Sequence, residues 1–275
     1  MPSKKNGEWR KMKFKDILYE KRDSIAIATF NRPDSLNTFS DQMLREFQHL
    51  LEDVEQDKNL HVLILTGKGR AFSAGRDLKD LAFLYEAASA SDKLRREVQF
   101  LANITKHLTR IPKVIIAAIN GLAVGIGAEF ALACDIRMAS EKAFFSFPEA
   151  KRALFVTNGV MYFLPKLVGL GRAKDWLLTG EKISAQEALE AGLVTAVLPA
   201  DKLMQAAFDK AGIISANAPI SIRLTKEAFQ QTNEMDLEAV LKFEENSVIA
   251  CHESEDFLEG IRAFIEKRAP FYKSK

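Results

Sequence analysis

The sequence predicts an α/β protein in which parallel strands are joined by crossover helices, followed by a helical tail. Three observations carry this. Strand-like and helix-like patterns alternate over the first half of the chain. The apolar runs "HVLILTG" and "KVIIAAIN" are continuous rather than alternating, as in strands covered on both faces. From about residue 158 onward the pattern is mostly helical. Alternation of this kind favours right-handed crossovers between parallel strands.

In order, "ILYEKRDSIAIATFN" reads as two strands around the turn Lys21-Arg22-Asp23-Ser24. The segment "SDQMLREFQHLLEDVEQD" opens on a capping serine, Ser40, and places apolar residues at 43, 44, 47, 50, 51 and 54, a helical stripe over 41–57. "HVLILTG" is a buried strand, and a helix-rich stretch runs from about 77 to 110, loosened by "EAASASD". "KVIIAAIN" is the next buried strand, followed by a Gly-rich turn and the short helix of "GIGAEFALACD". "DIRMAS" and "AFFSF" read as two more strands, turning at Ser140-Glu141-Lys142, and "LVTAVLP" is a strand within the helical last third. The tail helices carry strongly apolar stripes that require burial, on the core or on another subunit. Residues 1–11 are expected to be a flexible extension, with Met12 available as an alternative start.

Composition narrows the function classes. The 275 residues are 47% hydrophobic and 28% charged, as in soluble globular proteins. A net charge of +2 gives no electrostatic reason for a nucleic-acid or membrane partner, and the helix at 41–57 carries six acidic residues that oppose nucleic acid. The longest apolar run is interrupted by Asn120, three glycines and Glu129, so it reads as core. The basic N-terminus lacks the apolar stretch of a secretory signal. Cys134 and Cys251 are far apart and lack metal-ligand spacing, which points to reduced thiols, a cytoplasmic location and no metal. The four histidines are scattered, and Ser73 in "FSAG" is not a nucleophile elbow.

Two glycine-containing turns follow buried strands: "GKGRAFSAGRDLKD" at 67–80 and "NGLAVGIGAE" at 120–129. The first lacks Gly-Lys-Ser/Thr and the second does not fit a dinucleotide fingerprint. Each is open to two readings. The glycines can simply permit positive φ. Alternatively, backbone N–H groups of the two turns converge on one oxygen and stabilise negative charge there. Two carboxylates lie nearby in sequence. Glu129 opens the short helix, where an anion offsets the helix's positive end in any protein. Glu149 follows "FFSFPE". Their interval of twenty residues would be roughly 30 Å along one helix. Helix out, strand, turn and strand back returns the second to the first. Two carboxylates beside an oxyanion hole suit proton transfer next to a carbonyl.

Together these stretches resemble the crotonase superfamily, the enoyl-CoA hydratase/isomerase group. The likeness runs from about Phe14 to Lys273 and is carried by "FNRPDSLNTFS", "GKGRAFSAGRDLKD", "IPKVIIAAINGLAVGIGAEFALACDIRMASEKAFFSFPEA", "FLPKLVGLGRAKDWLLTGEKISAQEALEAGLV" and "EGIRAFIEKRAPFY". The resemblance implies a spiral of ββα turns over 12–200 and a helical region over 201–275 used in trimer contacts, often in a dimer of trimers. It also implies an acyl-CoA thioester substrate and no separate cofactor. The oxyanion-hole N–H groups fall at Arg76 and Ile126, and the catalytic glutamates at Glu129 and Glu149. In the family pattern both carboxylates hold a water that adds at Cβ while a proton is delivered to Cα. Isomerases of the family commonly need only the Glu149-type group, so the pair favours a hydratase. An isomerase, a thioester hydrolase and a non-catalytic acyl-CoA or RNA-binding member are the alternatives.

Further family positions for substrate contact are Ala74, Asp77, Leu78 and Lys79 after the first turn, and Phe271 and Lys273 in the tail, with Lys79 equally a surface residue. Three places depart from the family pattern. Ile126 stands where Gly is usual, so its φ must be negative for the hole to be unstrained. Arg76 replaces a small residue, and its side chain is expected to meet CoA phosphates or to close a loop. "VTNGVMYFL", 156–164, replaces a Gly-rich segment, and its Met161, Tyr162 and Phe163 line an acyl pocket or belong to the core.

Overall fold

The structure, a computed structural model, describes residues 14–80, 90–232 and 235–273. The expected extension at 1–11, Met12 and most of "EAASASD" lie outside the described residues. A six-stranded sheet is formed by β1 (Ile17–Arg22), β2 (Ile25–Phe30), β3 (Val62–Gly67), β5 (Val114–Ile119), β7 (Ile136–Ser140) and β10 (Ala196–Leu198), in that spatial order. The β1–β2 hairpin is antiparallel, with Asp23 at φ 50° in its turn, and every other pair is parallel. A second sheet contains β4 (Ala71–Ser73), β6 (Leu122–Val124), β8 (Phe144–Ser146) and β9 (Ile183–Ser184), also in order. Its first three strands are parallel and its last pair antiparallel.

The chain visits the two sheets in turn. β3 leads to β4 and then to helix α2 (Ala90–Arg110); β5 leads to β6 and helix α3 (Ile126–Leu132); β7 leads to β8. This is a spiral of ββα turns. The strands of the second sheet are only two or three residues long, too short for a periodic signal, and the sequence shows β4 and β6 merely as the beginnings of Gly-rich turns. Helix α1 (Asp41–Gln56) begins as predicted, with Ser40 Oγ accepting from the Met43 N–H.

The continuous apolar runs are explained by burial on both faces. Ile115, Ala117 and Ile119 of β5 face the main core between the sheets. Val114, Ile116 and Ala118 face helix α7 (Leu203–Ser215) through Leu203, Ala207 and Ala211. Thus the first helix of the 201–275 region covers the outer face of the large sheet. Helices α4 (Val160–Val168), α5 (Leu170–Thr179) and α6 (Ala185–Glu190) precede it, and α8 (Pro219–Gln231), α9 (Leu237–His252) and α10 (Glu255–Glu266) follow. Lys226 of α8 is buried, and its Nζ donates to the Leu108 and Lys113 carbonyls and to Asp135 Oδ2 at 2.8 Å. Asp135 also accepts the Ile115 N–H, so its carboxylate ties α8 to the start of β5. No described helix is long and apolar enough to cross a membrane.

Candidate active site

Strands β4, β6 and β8 lie side by side, with Ser73 opposite Ala123 and Val124 opposite Ser146. Their carboxyl ends therefore release three loops at one edge: 74–76, 125–126 and 147–149. This explains the twenty-residue interval, since one turn of the spiral separates Glu129 from Glu149. A Cβ added to Gly75 would lie 3.5 Å from the Ile126 nitrogen, so the two Gly-rich turns touch. Gly127 packs as closely on Ser73, where a Cβ would fall 2.6 Å from the Ser73 carbonyl oxygen.

The backbone of the first turn is set by Phe39. Its N–H donates to the Gly75 carbonyl, and its carbonyl accepts the Asp77 N–H. In a parallel bridge of this kind the central residue's own N–H points away from the partner strand, so that of Arg76 is turned off Phe39. The Ala74 N–H is held by the Leu36 carbonyl. In the second turn Gly125 takes φ 52° and ψ −128°, a conformation open to glycine, and Ile126 follows as the first residue of α3 outside the positive-φ residues. The departure at Ile126 is thereby absorbed, because Gly125 carries the unusual angles. The N–H groups at the start of a helix have no intrahelical acceptor, which leaves that of Ile126 available.

Glu129 is 1% exposed. The neighbouring Phe130 fixes α3 in an aromatic cluster, edge-on to Phe39 at 5.3 Å. Three donors converge on the carboxylate. The Thr157 N–H reaches Oε1 at 3.1 Å, while the Thr157 hydroxyl and the Asn158 amide each reach Oε2 at 2.7 Å. Burial pushes this carboxyl above the usual range, and the three hydrogen bonds oppose that. Glu149 stands in a short 3-10 turn, Pro148–Arg152. Its Oε1 lies against Gly125, 2.9 Å from where a Cβ would be, and its Oε2 is buried without a hydrogen-bond partner among the described residues. Burial first, then the charge of Glu129, pushes its carboxyl up to about 7, with Arg152 pulling the other way.

Gly125 is where backbone and carboxylate meet. Gly125→Ala adds a side chain to a left-handed backbone and drives it onto Glu149. The expected result is a loss of about 10²-fold in any turnover that depends on the position of the Glu149 carboxyl, with the chain still folded by circular dichroism.

Arg76 corrects one expectation. Its side chain does not reach out toward a ligand phosphate. It is 6% exposed and turned inward, with Nε on Glu97 of α2 at 2.6 Å, Nη1 on the Phe39 carbonyl at 2.7 Å and on Asp80 at 3.1 Å, and Nη2 on Asp41. The guanidinium fork thus ties the 76–80 segment, helical from 78 to 80, to α1 and α2, the loop-closing half of the expectation. Asp77 is similarly engaged, accepting from Arg32 Nη2 at 3.1 Å. Leu78 and Lys79 are exposed on the helical part of the same segment. Met161 and Tyr162 lie on the exposed side of α4, with Lys166 Nζ 3.4 Å from the centre of the Tyr162 ring, whereas Val160, Leu164 and Val168 form that helix's core side. Of the two readings, core does not hold for Met161 or Tyr162. Phe163 is partly buried against the core. Phe271 is exposed, while the N–H groups of Phe271 and Lys273 are fixed to Glu259 and Asp256 of α10. Among the described residues, no group of three or more His, Cys, Asp and Glu has the arrangement to hold a metal ion.

Thr157 and Asn158 are site residues that the sequence did not single out. The Asn-Gly pair at 158–159 in a place of departure was the available signal. Asn158 and Gly159 both have positive φ, 52° and 78°, and this fold-back aims residues 157 and 158 at Glu129.

Fold and site together define a ββα spiral with the backbone turns of Arg76 and Ile126 beside a pair of buried carboxyls. The sequence model of the enoyl-CoA hydratase/isomerase family matches residues 20–275. The chain is 35% identical over 259 residues to the short-chain-enoyl-CoA hydratase of Clostridium acetobutylicum, covering 94% of this chain and 97% of that one. It is 32% identical over 260 residues to the 2,3-dehydroadipyl-CoA hydratase of Escherichia coli, covering 94% and 99%. Among solved structures, the enoyl-CoA hydratase from Bacillus anthracis superposes with a TM-score of 0.90 at 37% identity, covering 95% of this chain and all of that one. The protein belongs to the enoyl-CoA hydratase/isomerase family and has the crotonase fold.

Proposed function

We propose that the protein is an enoyl-CoA hydratase that adds water reversibly across the 2,3 double bond of an enoyl-CoA thioester. The observation that carries this is the Glu149 carboxyl lying against Gly125, with Ile126 next in the chain and Glu129 one helical turn beyond. The thioester oxygen accepts from the N–H groups of Arg76 and Ile126. Enolate charge that develops there is then stabilised by dipoles already in position. Glu129 is the base. Its Oε2 accepts two donors and its Oε1 only one, so Oε1 keeps a lone pair for a water. Glu149 is the acid, because a buried oxygen without a donor favours the protonated form. The water oxygen bonds to Cβ as its proton passes to Glu129, and Glu149 gives its proton to Cα. Return of one proton from Glu129 to Glu149 resets the pair.

The hydratases named above act on different acyl groups, so the shared chemistry is the conjugated thioester rather than one chain length. The reaction draws on no cofactor beyond the coenzyme A of the substrate. A homotrimer or dimer of trimers is the assembly this reading includes. Its support is the exposed apolar side chains of α9 and α10, among them Leu241, Val248, Ile261 and Phe264. A cytoplasmic location belongs to the same reading.

Paired substrates test the reaction. With a 2-enoyl-CoA the conjugated-thioester absorbance is expected to fall as water adds. With a 3-enoyl-CoA no comparable rise is expected. A rapid rise with the 3-enoyl-CoA and no loss with the 2-enoyl-CoA would make the protein an isomerase.

A further inference from the structure

We propose that Thr157 and Asn158, backed by Thr105 of α2, are positioning residues that hold Glu129 as the anion of the pair and so divide base from acid between two glutamates. This rests on the hydratase reading above. The geometry is a closed chain of hydrogen bonds. Thr105 Oγ1 lies 3.2 Å from Asn158 Oδ1, and Asn158 Nδ2 donates to Glu129 Oε2 and, at 3.1 Å, to Thr157 Oγ1. The Thr157 hydroxyl donates a hydrogen bond to the same Oε2. With the amide oxygen facing the Thr105 hydroxyl, the Asn158 NH₂ is directed at the carboxylate. Every donor in the chain favours a charged Glu129, and none reaches Glu149 Oε2.

Little else nearby sets the charge of Glu129. Glu149 faces it, with Arg152 beside Glu149. Helix α3 packs against β4, β6 and α4, meets α1 through the apolar pair Phe130 and Phe47, and receives the Arg137 guanidinium of β7 on the Ala131 and Leu132 carbonyls at its C-terminal end. β4 and β6 carry no ionisable side chain, and the one charge on α4, Lys166, is held over the Tyr162 ring. The division of labour between two chemically identical side chains therefore falls to three uncharged residues. Such a device also fits the departure at 156–159, where side-chain donors replace a plain Gly-rich backbone.

The test compares wild type with Thr157→Val, Asn158→Gly and Thr157→Ser, using pH profiles of hydration and carbon-13 NMR titration of the Glu129 carboxyl, assigned with Glu129→Gln. Glycine accepts the φ of 52° at 158, so the backbone is kept. A hydrogen bond to a charged group is strong enough that losing one donor weakens the acidity of Glu129 by about tenfold to hundredfold. The limb on which activity rises with pH moves upward by that factor in Thr157→Val and Asn158→Gly, so the profile narrows against the falling limb set by Glu149, and KM stays within about twofold. Thr157→Ser keeps the wild-type profile. A loss of the same size at every pH, with the NMR titration of Glu129 unmoved, would overturn the proposal. If the NMR titration moves as stated while wild type hydrates no enoyl-CoA, the positioning of Glu129 stands and the hydratase reading falls.

Discussion

Glu149→Gln is expected to lower hydration of a 2-enoyl-CoA by about 10²–10⁴-fold, the usual cost of removing a positioned proton-transfer group. Glutamine keeps the shape against Gly125 but has no proton of the right acidity to give to Cα. The pH dependence sharpens the expectation. Glu149 must start hydration protonated, and its carboxyl is pushed up to about 7 by burial and by Glu129. In wild type the hydration rate therefore falls as pH rises through about 7, and dehydration, which starts from the ionised form, rises through the same range. Because the two carboxyls interact, the limb belongs to the pair. In Glu149→Gln the residual hydration loses this limb. A variant with near wild-type turnover and an unchanged pH profile would remove Glu149 from the mechanism.

Arg76→Ala is expected to act on the whole site through stability. The guanidinium satisfies Glu97, Asp80, Asp41 and the Phe39 carbonyl at once. Removing one partner of a buried ion pair costs about 3–5 kcal/mol, and the solvent access of Asp41 and Asp80 places this case near 3 kcal/mol. For a chain of this size that lowers Tm by roughly 6–12 °C. The Arg76 N–H survives the substitution, but the loop that aims it loses its tie to α1 and α2, so kcat falls as well. Arg76→Lys rescues little, because one ammonium cannot reproduce the fork. Thermal unfolding with steady-state kinetics on the folded enzyme checks this. A rise in KM for the CoA thioester, with Tm and kcat unchanged, would mean that the side chain serves the ligand after all.

The contrast between these residues shows what a sequence can and cannot display. The Glu129–Glu149 pairing was legible because strand-turn-strand arithmetic brings position 149 back to the start of α3. The Gly-rich turns were legible because glycine marks unusual backbone. Strands β4, β6 and β9 were not, since two or three residues cannot express a period. The inward turn of Arg76 was not legible either. Its partners come from positions 39, 41, 80 and 97, and an arginine on a substrate loop looks the same whether it faces ligand or core. Thr157 and Asn158 were hidden for the same reason, as their value lies in a carboxylate 28 and 29 residues away. The conformation of Ile126 was framed correctly as a condition on φ, and the answer came from Gly125, which takes the demanding angles itself.

Turnover of a 2-enoyl-CoA in oxygen-18 water tests the central claim most directly, with the product read by mass spectrometry. Hydration places one labelled oxygen on Cβ and leaves the thioester intact. Label in a free carboxylate, or a shifted double bond without label, would contradict the account.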